Sequence, residues 1–510
     1  MMPKQSLLKG TLILTISSLF IKIIGFVNGI VMSRTLGSEG IGLIMMAMPG
    51  IGLILTLTTL GLPVAISKVV AELDSKNDHR GIVKTMTISL TLTTALSVLL
   101  SIAAFFGSKI YASYFLTDQR AYYALIAFIP MIPIIGIAAV IKGYFRGKQN
   151  MTPIAVSDVV EQIIHAALLY TVMMHLMPYG VKIAAVGAIL CSITGEAVSL
   201  LYLLFRINRE KIKKQERKKP FSQSNEKGKG IFLDLLRTGI PTTTNEFIHS
   251  VINIFEPVII TQSLAVSGVA SSVATKQYGE LLGYAFPLLF LPTFILHSLS
   301  ISLVPSVSEA NAKNNTAVIH RQINQALRLA LIVGVPWTII AYLFATNLTT
   351  VIYHSPEAGV YLKIMAPFFL LHYFQIPLES ILIGLGKANI ALINDVLPTI
   401  VSLASIYWLA SNPELGIKGV ALAFSASVIL GTALNFLTVS KLVGFNLYIS
   451  DLVKVILAGI VMGFGAITSY QYFGGQYSSP YLPLILTLSI SLMIYLLLLY
   501  SFRVLNFKRV

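Results

Sequence analysis

The sequence is poor in charge. Only 11% of its 510 residues are Asp, Glu, Lys or Arg, less than half the roughly 25% of a soluble domain. Such a chain has too little polar surface to cover a water-soluble body of this size. Cysteine is almost missing too. Cys191 stands alone, which excludes an internal disulfide and a cysteine-based metal centre. No G-x-x-x-x-G-K-[ST] phosphate loop, H-E-x-x-H helix or G-x-S-x-G turn occurs, so a Walker-type ATPase, a zincin and an α/β-hydrolase are unsupported. The few histidines are not spaced as a zinc site. Neither a metal nor a cofactor is expected, and the outer loops leave little room for a catalytic domain.

What the chain has instead is apolar length: 55% of its residues are hydrophobic and its mean hydropathy is +0.80. Apolar runs recur near 10–33, 42–65, 85–107, 121–142, 154–177, 183–205, 233–260, 279–304, 325–346, 361–384, 390–410, 417–440, 452–472 and 481–502. Each is long enough to cross a ~30 Å hydrocarbon core as a helix, and too long for the ~10-residue alternating strands of a barrel. The expected fold is an all-α polytopic membrane protein of about 14 transmembrane helices. With the N-terminus inside, 29 of the 37 Lys and Arg fall on the cytoplasmic side and 7 outside, Lys22 lying within the membrane. That bias places both termini in the cytoplasm. The net charge of +16 then needs no nucleic-acid partner. The basic run at 209–230 reads as a topological signal that touches anionic lipid. The first helix lacks a small-residue cleavage site and is expected to be retained.

The second half repeats the first. "AELDSKN" at 71–77 matches "SEANAKN" at 308–314, "YFRGKQN" at 144–150 echoes "IGLGKAN" at 383–389, and Pro130 corresponds to Pro367. The shared order points to a tandem repeat: a six-helix lobe at 1–206, a basic linker at 207–230, a second six-helix lobe at 231–441 and two further helices at 442–510. An even helix count per copy makes the repeat parallel, and transporters of that kind carry their cargo between rocking halves.

Polar residues within apolar runs mark where such a path would lie, since a charge at the bilayer centre costs ~2.5–3.5 kcal/mol on insertion scales. On the first helix Thr11, Thr15, Ser18, Lys22, Gly25 and Gly29 share one face, with Asn28 beside it. On the helix that opens the second half, Thr242, Glu246, His249, Asn253 and Glu256 do likewise, with Asn245 adjacent. These stripes are expected to line an aqueous cavity. The competing reading is that Lys22 pairs silently with a carboxylate such as Glu246. Asp158, Glu161 and His165 form an i, i+3, i+7 cluster that suits a cation or proton site or a hydrated structural contact. Glu196, Glu379 and Asp395 read as packing or helix-end residues. Pro49 and Pro287 occupy matching places and read as hinges or static kinks.

The stretches "LLKGTLIL", "MSRTLGSEGIGL", "LGLPVAISKVVAE" and "GYFRGKQNMTP" resemble the polysaccharide-exporter branch of the multidrug/oligosaccharidyl-lipid/polysaccharide superfamily, across essentially the whole chain. The resemblance implies two six-helix lobes around a central cavity, plus two C-terminal helices. It implies no enzymatic activity. The implied function is outward flipping of an undecaprenyl-pyrophosphate-linked precursor, lipid II foremost, for spore-cortex peptidoglycan. The implied location is the plasma membrane, specifically the outer forespore membrane, with cortex synthases as partners. "KIIGFVNGIVMSRTLG" is similar to the first-helix pattern of lipid II flippases. Lys22 takes the first basic position and Arg34 with Gly37 the last, while Asn28 and Gly29 replace a basic-acidic pair. Lys22 and Arg34 would then meet the pyrophosphate, and Asn28, Thr242, Asn245, Glu246, His249, Asn253 and Glu256 the sugar or peptide groups. The alternatives are an exporter of another lipid-linked polysaccharide, a cation-coupled small-molecule antiporter, a membrane enzyme acting on polyprenyl substrates, and a scaffold for synthases.

Overall fold

The computed structural model describes residues 7–209, 225–444, 449–477 and 479–504, and among these every regular element is helical. Most of the basic run at 209–230 lies outside the described residues. Contacts group the chain into two compact units, 1–258 and 259–510. The division falls inside a helix, Asn225–Val266.

The first unit opens with α1, Leu7–Thr59. Its 53 residues reach about 80 Å at 1.5 Å per residue, far beyond one crossing. The helix breaks at Gly37, whose φ of 69° and ψ of 176° are non-helical. The apolar runs at 10–33 and 42–65 leave several residues between them for a turn. Instead the single residue Gly37 takes up the change of direction, because without a Cβ it enters that backbone region at little cost. After Gly61, also left-handed, comes α2, Leu62–Ser75, started by Pro63 in its first turn. Then follow α3 (His79–Phe115), α4 (Ala121–Phe128), α5 (Met131–Gly147), α6 (Thr152–Leu176), α7 (Val181–Arg209) and α8 (Asn225–Val266). Asp78 caps α3 by accepting from the Gly81 backbone N–H at 2.9 Å.

The helices face lipid with large apolar residues and one another with small ones. On α3, Leu99, Phe105, Phe106, Ile110 and Tyr114 are exposed, whereas Ser89, Thr93 and Ser97 are fully buried. In hydrocarbon the lipid already satisfies apolar surface, so close backbone approach between small residues drives association. Gly136 of α5 fits this stripe: a Cβ there would lie 2.9 Å from Thr58 and 3.1 Å from Thr93. Around and beyond Gly37, α1 packs its Leu36, Ile44, Ala47 and Ile51 with residues of α4, α6 and α7. The middle of α8 joins the unit through Gly239, packed on the Leu60 carbonyl, and through a 2.9 Å hydrogen bond between Ser250 Oγ and Thr56 Oγ1.

Among the described residues eleven helices are long and apolar enough to cross a membrane, rising to thirteen when two bent pairs each count as one span. One pair is α4 with α5, bent by 40°; the other is Ser271–Leu289 with Thr293–Ala312, bent by 57°. The figure lies below fourteen because the first two expected crossings are continuous around Gly37 and count once. Pro49 sits inside the helical part of α1 that follows Gly37, but Pro287 follows a π-helical turn at Gly279–Ala285 and precedes the 57° bend. The matching prolines therefore do different work.

In the second unit Arg328, buried on Thr316–Leu343, lies 3.3 Å (Nε) from Asp451 Oδ2 and donates to the Val504 carbonyl. It ties the start of Ile449–Gly474 and the chain after Tyr481–Ser501 to one helix. The internal repeat is visible in turn geometry. Asn77 and Asn314 both have left-handed φ, 53° and 52°, as do Gln149 and Gly386. Each Asn precedes a capping residue, Asp78 or Asn315, which accepts from the N–H three residues on.

Candidate functional site

Three helices of the first unit line a cavity of about 340 Å³. Ser18, Ile21 and Lys22 of α1 line it, with Lys142 of α5 and Asp158, Glu161 and Gln162 of α6. Glu196 of α7 lies next to this group: its side chain meets that of Glu161, and its Oε1 is 4.0 Å from Lys142 Nζ. Lys142 Nζ is 2.8 Å from Asp158 Oδ1. Glu161 also accepts from Gln162 Nε2 at 3.3 Å. Lys142 stands beside the carboxyls of both Glu161 and Glu196.

Glycines bring these helices together. A Cβ on Gly195 of α7 would lie 2.8 Å from the Glu161 carbonyl oxygen, so the glycine lets α7 approach α6 one residue before Glu196. Gly25 of α1 faces Gln162 with room to spare, its Cβ position being 3.8 Å from Oε1.

Lys22 is exposed and makes no ion pair among the described residues, Glu246 included. It is presented to the cavity with its charge uncompensated by a contact carboxylate. Asn28 is buried, with 4% exposure, and its Nδ2 lies 3.5 Å from His165 Nδ1. His165 Nε2 is in turn 3.1 Å from Ser192 Oγ. These three residues link α1, α6 and α7. His165 thus sits in an interhelical contact one turn from Glu161, and Asp158 and Glu161 line the cavity without it.

Arg34 is exposed near the Gly37 break. Beyond the break Glu39 Oε1 lies 2.6 Å from Arg120 Nη1, and Asp118 Oδ2 lies 2.6 Å from Arg120 Nη2. Hydrogen bonds to Asp118 and Glu39 hold the Arg120 pKa above its usual value. On α8, Asn245, Glu246 and Asn253 are exposed and His249 and Glu256 half-buried; the Thr242 side chain lies outside the described set. Sequence reasoning missed Lys142 as a cavity residue, counting it with the cytoplasmic charges at the helix end, and treated Glu196 as packing. Their spacing from Glu161 carries no helical period, so no pattern within one helix could reveal them. Among the described residues no three His, Cys, Asp or Glu cluster in a metal-binding arrangement.

The model of the family described as "Polysaccharide biosynthesis protein" matches residues 7–311. The chain belongs to this family. A second model, MatE, matches residues 257–408. The chain is 42% identical to "Stage V sporulation protein B" of Bacillus subtilis (strain 168), over 99% of this chain and 97% of the relative. It is 23% identical to "Lipid II flippase MurJ" of the same organism, over 86% of this chain and 82% of that protein. Among solved structures it resembles "Lipid II flippase MurJ, inward closed conformation" with a TM-score of 0.70 at 14% identity, covering 96% of this chain and 98% of that one. It also resembles an inward-facing multidrug resistance MATE transporter of the MOP superfamily, with a TM-score of 0.70 at 18% identity, covering 84% and 98%. Family and fold agree on an integral membrane protein built like the transporters of that superfamily.

Proposed function

We propose that this protein is a flippase for a polyprenyl-pyrophosphate-linked peptidoglycan precursor, lipid II, used in spore-cortex synthesis and moved by alternating access between its two lobes. The observation that carries the reading is Lys22, an uncompensated cation opening on a polar cavity within an apolar helix. Its ammonium would bind the pyrophosphate by charge-assisted hydrogen bonds, which are roughly twice as strong as neutral ones. Arg34 would act at the outer end of α1. Thr242, Asn245, Glu246, His249, Asn253 and Glu256 would meet sugar and peptide groups, and Asn28 would support them from its contact with His165. Asp158 and Glu161 would form a cation or proton site, with His165 set one turn away in its contact with Asn28 and Ser192. The lobes would be 1–206 and 231–441, joined by the basic linker 207–230 on anionic lipid, with two helices at 442–510. The site of action would be the outer forespore membrane, with cortex synthases as partners. The similarity to a sporulation protein and to lipid II flippases supports the reading.

The test is outer-leaflet lipid II in sporulating cells that lack the protein, complemented with wild type or Lys22→Ala at equal expression. Restoration by wild type alone is expected; equal exposure in all strains overturns the reading. The MatE match favours a second reading, a cation-coupled small-molecule antiporter. It predicts that Glu246→Gln and Glu256→Gln abolish transport while Lys22→Ala spares it.

A further inference from the structure

We infer that Lys142 is a second cationic anchor for the cargo's diphosphate, held by Asp158 until the cargo displaces that carboxylate. The inference rests on the flippase reading. A diphosphate brings at least two negative charges, and Lys22 alone matches one of them. The cavity offers a second ammonium from a different helix, Lys142 of α5, whose side chain is 23% exposed and therefore reachable. Ser18 and Gln162 supply neutral donors on the same wall.

The groups that face Lys142 differ in how readily they can leave. Asp158 is the closest, at 2.8 Å, and 30% exposed. Water can receive its carboxylate when Lys142 turns away; Ser157 Oγ, 3.3 Å from Oδ1, gives its hydrogen to the Ile154 carbonyl at 2.7 Å and does not hold Asp158 in place. Glu196 is 7% exposed, stands 4.0 Å off and is engaged with Glu161. It stays where it is. A half-hydrated ion pair contributes little on its own, whereas a phosphate held between two ammonium groups gains two charge-assisted contacts. The exchange of Asp158 for phosphate therefore runs towards the loaded state. It also leaves the empty cavity without two adjacent free cations, which would repel one another.

The test uses the purified full-length protein in detergent and three probes: undecaprenyl pyrophosphate, undecaprenyl phosphate and uncharged undecaprenol. Wild type is expected to bind the pyrophosphate about ten-fold more tightly than the monophosphate, the scale of one charge-assisted hydrogen bond. Lys142→Gln should lose that preference and Lys142→Arg retain it. Asp158→Asn should tighten pyrophosphate binding several-fold by releasing Lys142, a gain that damage to the fold does not produce. The double variant Lys142→Gln, Asp158→Asn removes the orphaned carboxylate and should bind like Lys142→Gln. If Lys22→Ala weakens binding while the Lys142 and Asp158 variants match wild type, Lys22 holds the head group alone and the inference fails. Weakening by Asp158→Asn makes the ion pair merely structural and also overturns it. Absence of binding by wild type, or binding indifferent to Lys22→Ala, overturns the flippase reading itself.

Discussion

Replacing Gly195 by Ala tests how packing builds the cavity. The new methyl would lie 2.8 Å from the Glu161 carbonyl oxygen and 3.5 Å from both the backbone nitrogen and Cβ of His165. The first of these distances is shorter than real carbon–oxygen contacts, and the atom opposite is backbone, which cannot rotate aside. Helices α6 and α7 must separate by several tenths of an ångström, at about 1–3 kcal/mol for overpacking. The displacement falls at the Glu161–Glu196 contact, so the carboxyl pair and its lysine partner shift together. Gly25→Ala is the internal control. Its methyl would meet only Gln162 Oε1 at 3.8 Å, an ordinary contact, and the change should stay within about 0.5 kcal/mol. Thermal unfolding of both variants in detergent, followed by loss of the monodisperse peak, reads the difference. Precursor exposure in complemented cells reads the functional consequence. Equal midpoints for the two variants would refute the argument that Gly195 sets the α6–α7 distance.

Three further outcomes follow from contacts elsewhere. Lys22→Arg should keep most cargo affinity and Lys22→Ala lose about ten- to hundred-fold, the range of a hydrogen bond to a charged group, as read by undecaprenyl pyrophosphate binding. Arg328→Met should destabilise the second unit by about 2–3 kcal/mol, below the usual 3–5 for a broken buried pair because Asp451 is 23% exposed; hydrogen exchange in Ile449–Gly474 should rise, and adding Asp451→Asn should recover part of the loss. Arg120→Met should cost about 1–3 kcal/mol, more than an exposed pair and less than a fully buried one, since Arg120 and Glu39 are 38% and 33% exposed but Asp118 only 6%, and a thermal midpoint unchanged within error by high salt would contradict an electrostatic origin.

The crossings were legible because each apolar run exceeds what a soluble helix needs, and the repeat because "DSKN" and "NAKN" demand the same left-handed Asn and the same cap. The break in α1 was legible only as a turn: sequence marks Gly37 as permissive but does not say that a single residue would suffice. Lys22 announced itself by standing charged in an apolar run. Lys142 did not, because a lysine five residues before the end of α5 looks like any cytoplasmic charge until α6 packs Asp158 against it. Asn28 shared a stripe with exposed residues, yet tertiary contact with His165 buried it. Helical periodicity assigns faces, and only packing between helices far apart in sequence decides which face is wet.

The central claim is tested most directly with the purified protein in liposomes carrying fluorescent lipid II, by adding a membrane-impermeant quencher. Wild type should expose the inner-leaflet pool to the quencher, and Lys22→Ala should leave it protected as in protein-free vesicles. Protection by wild type equal to that of protein-free vesicles would contradict the account.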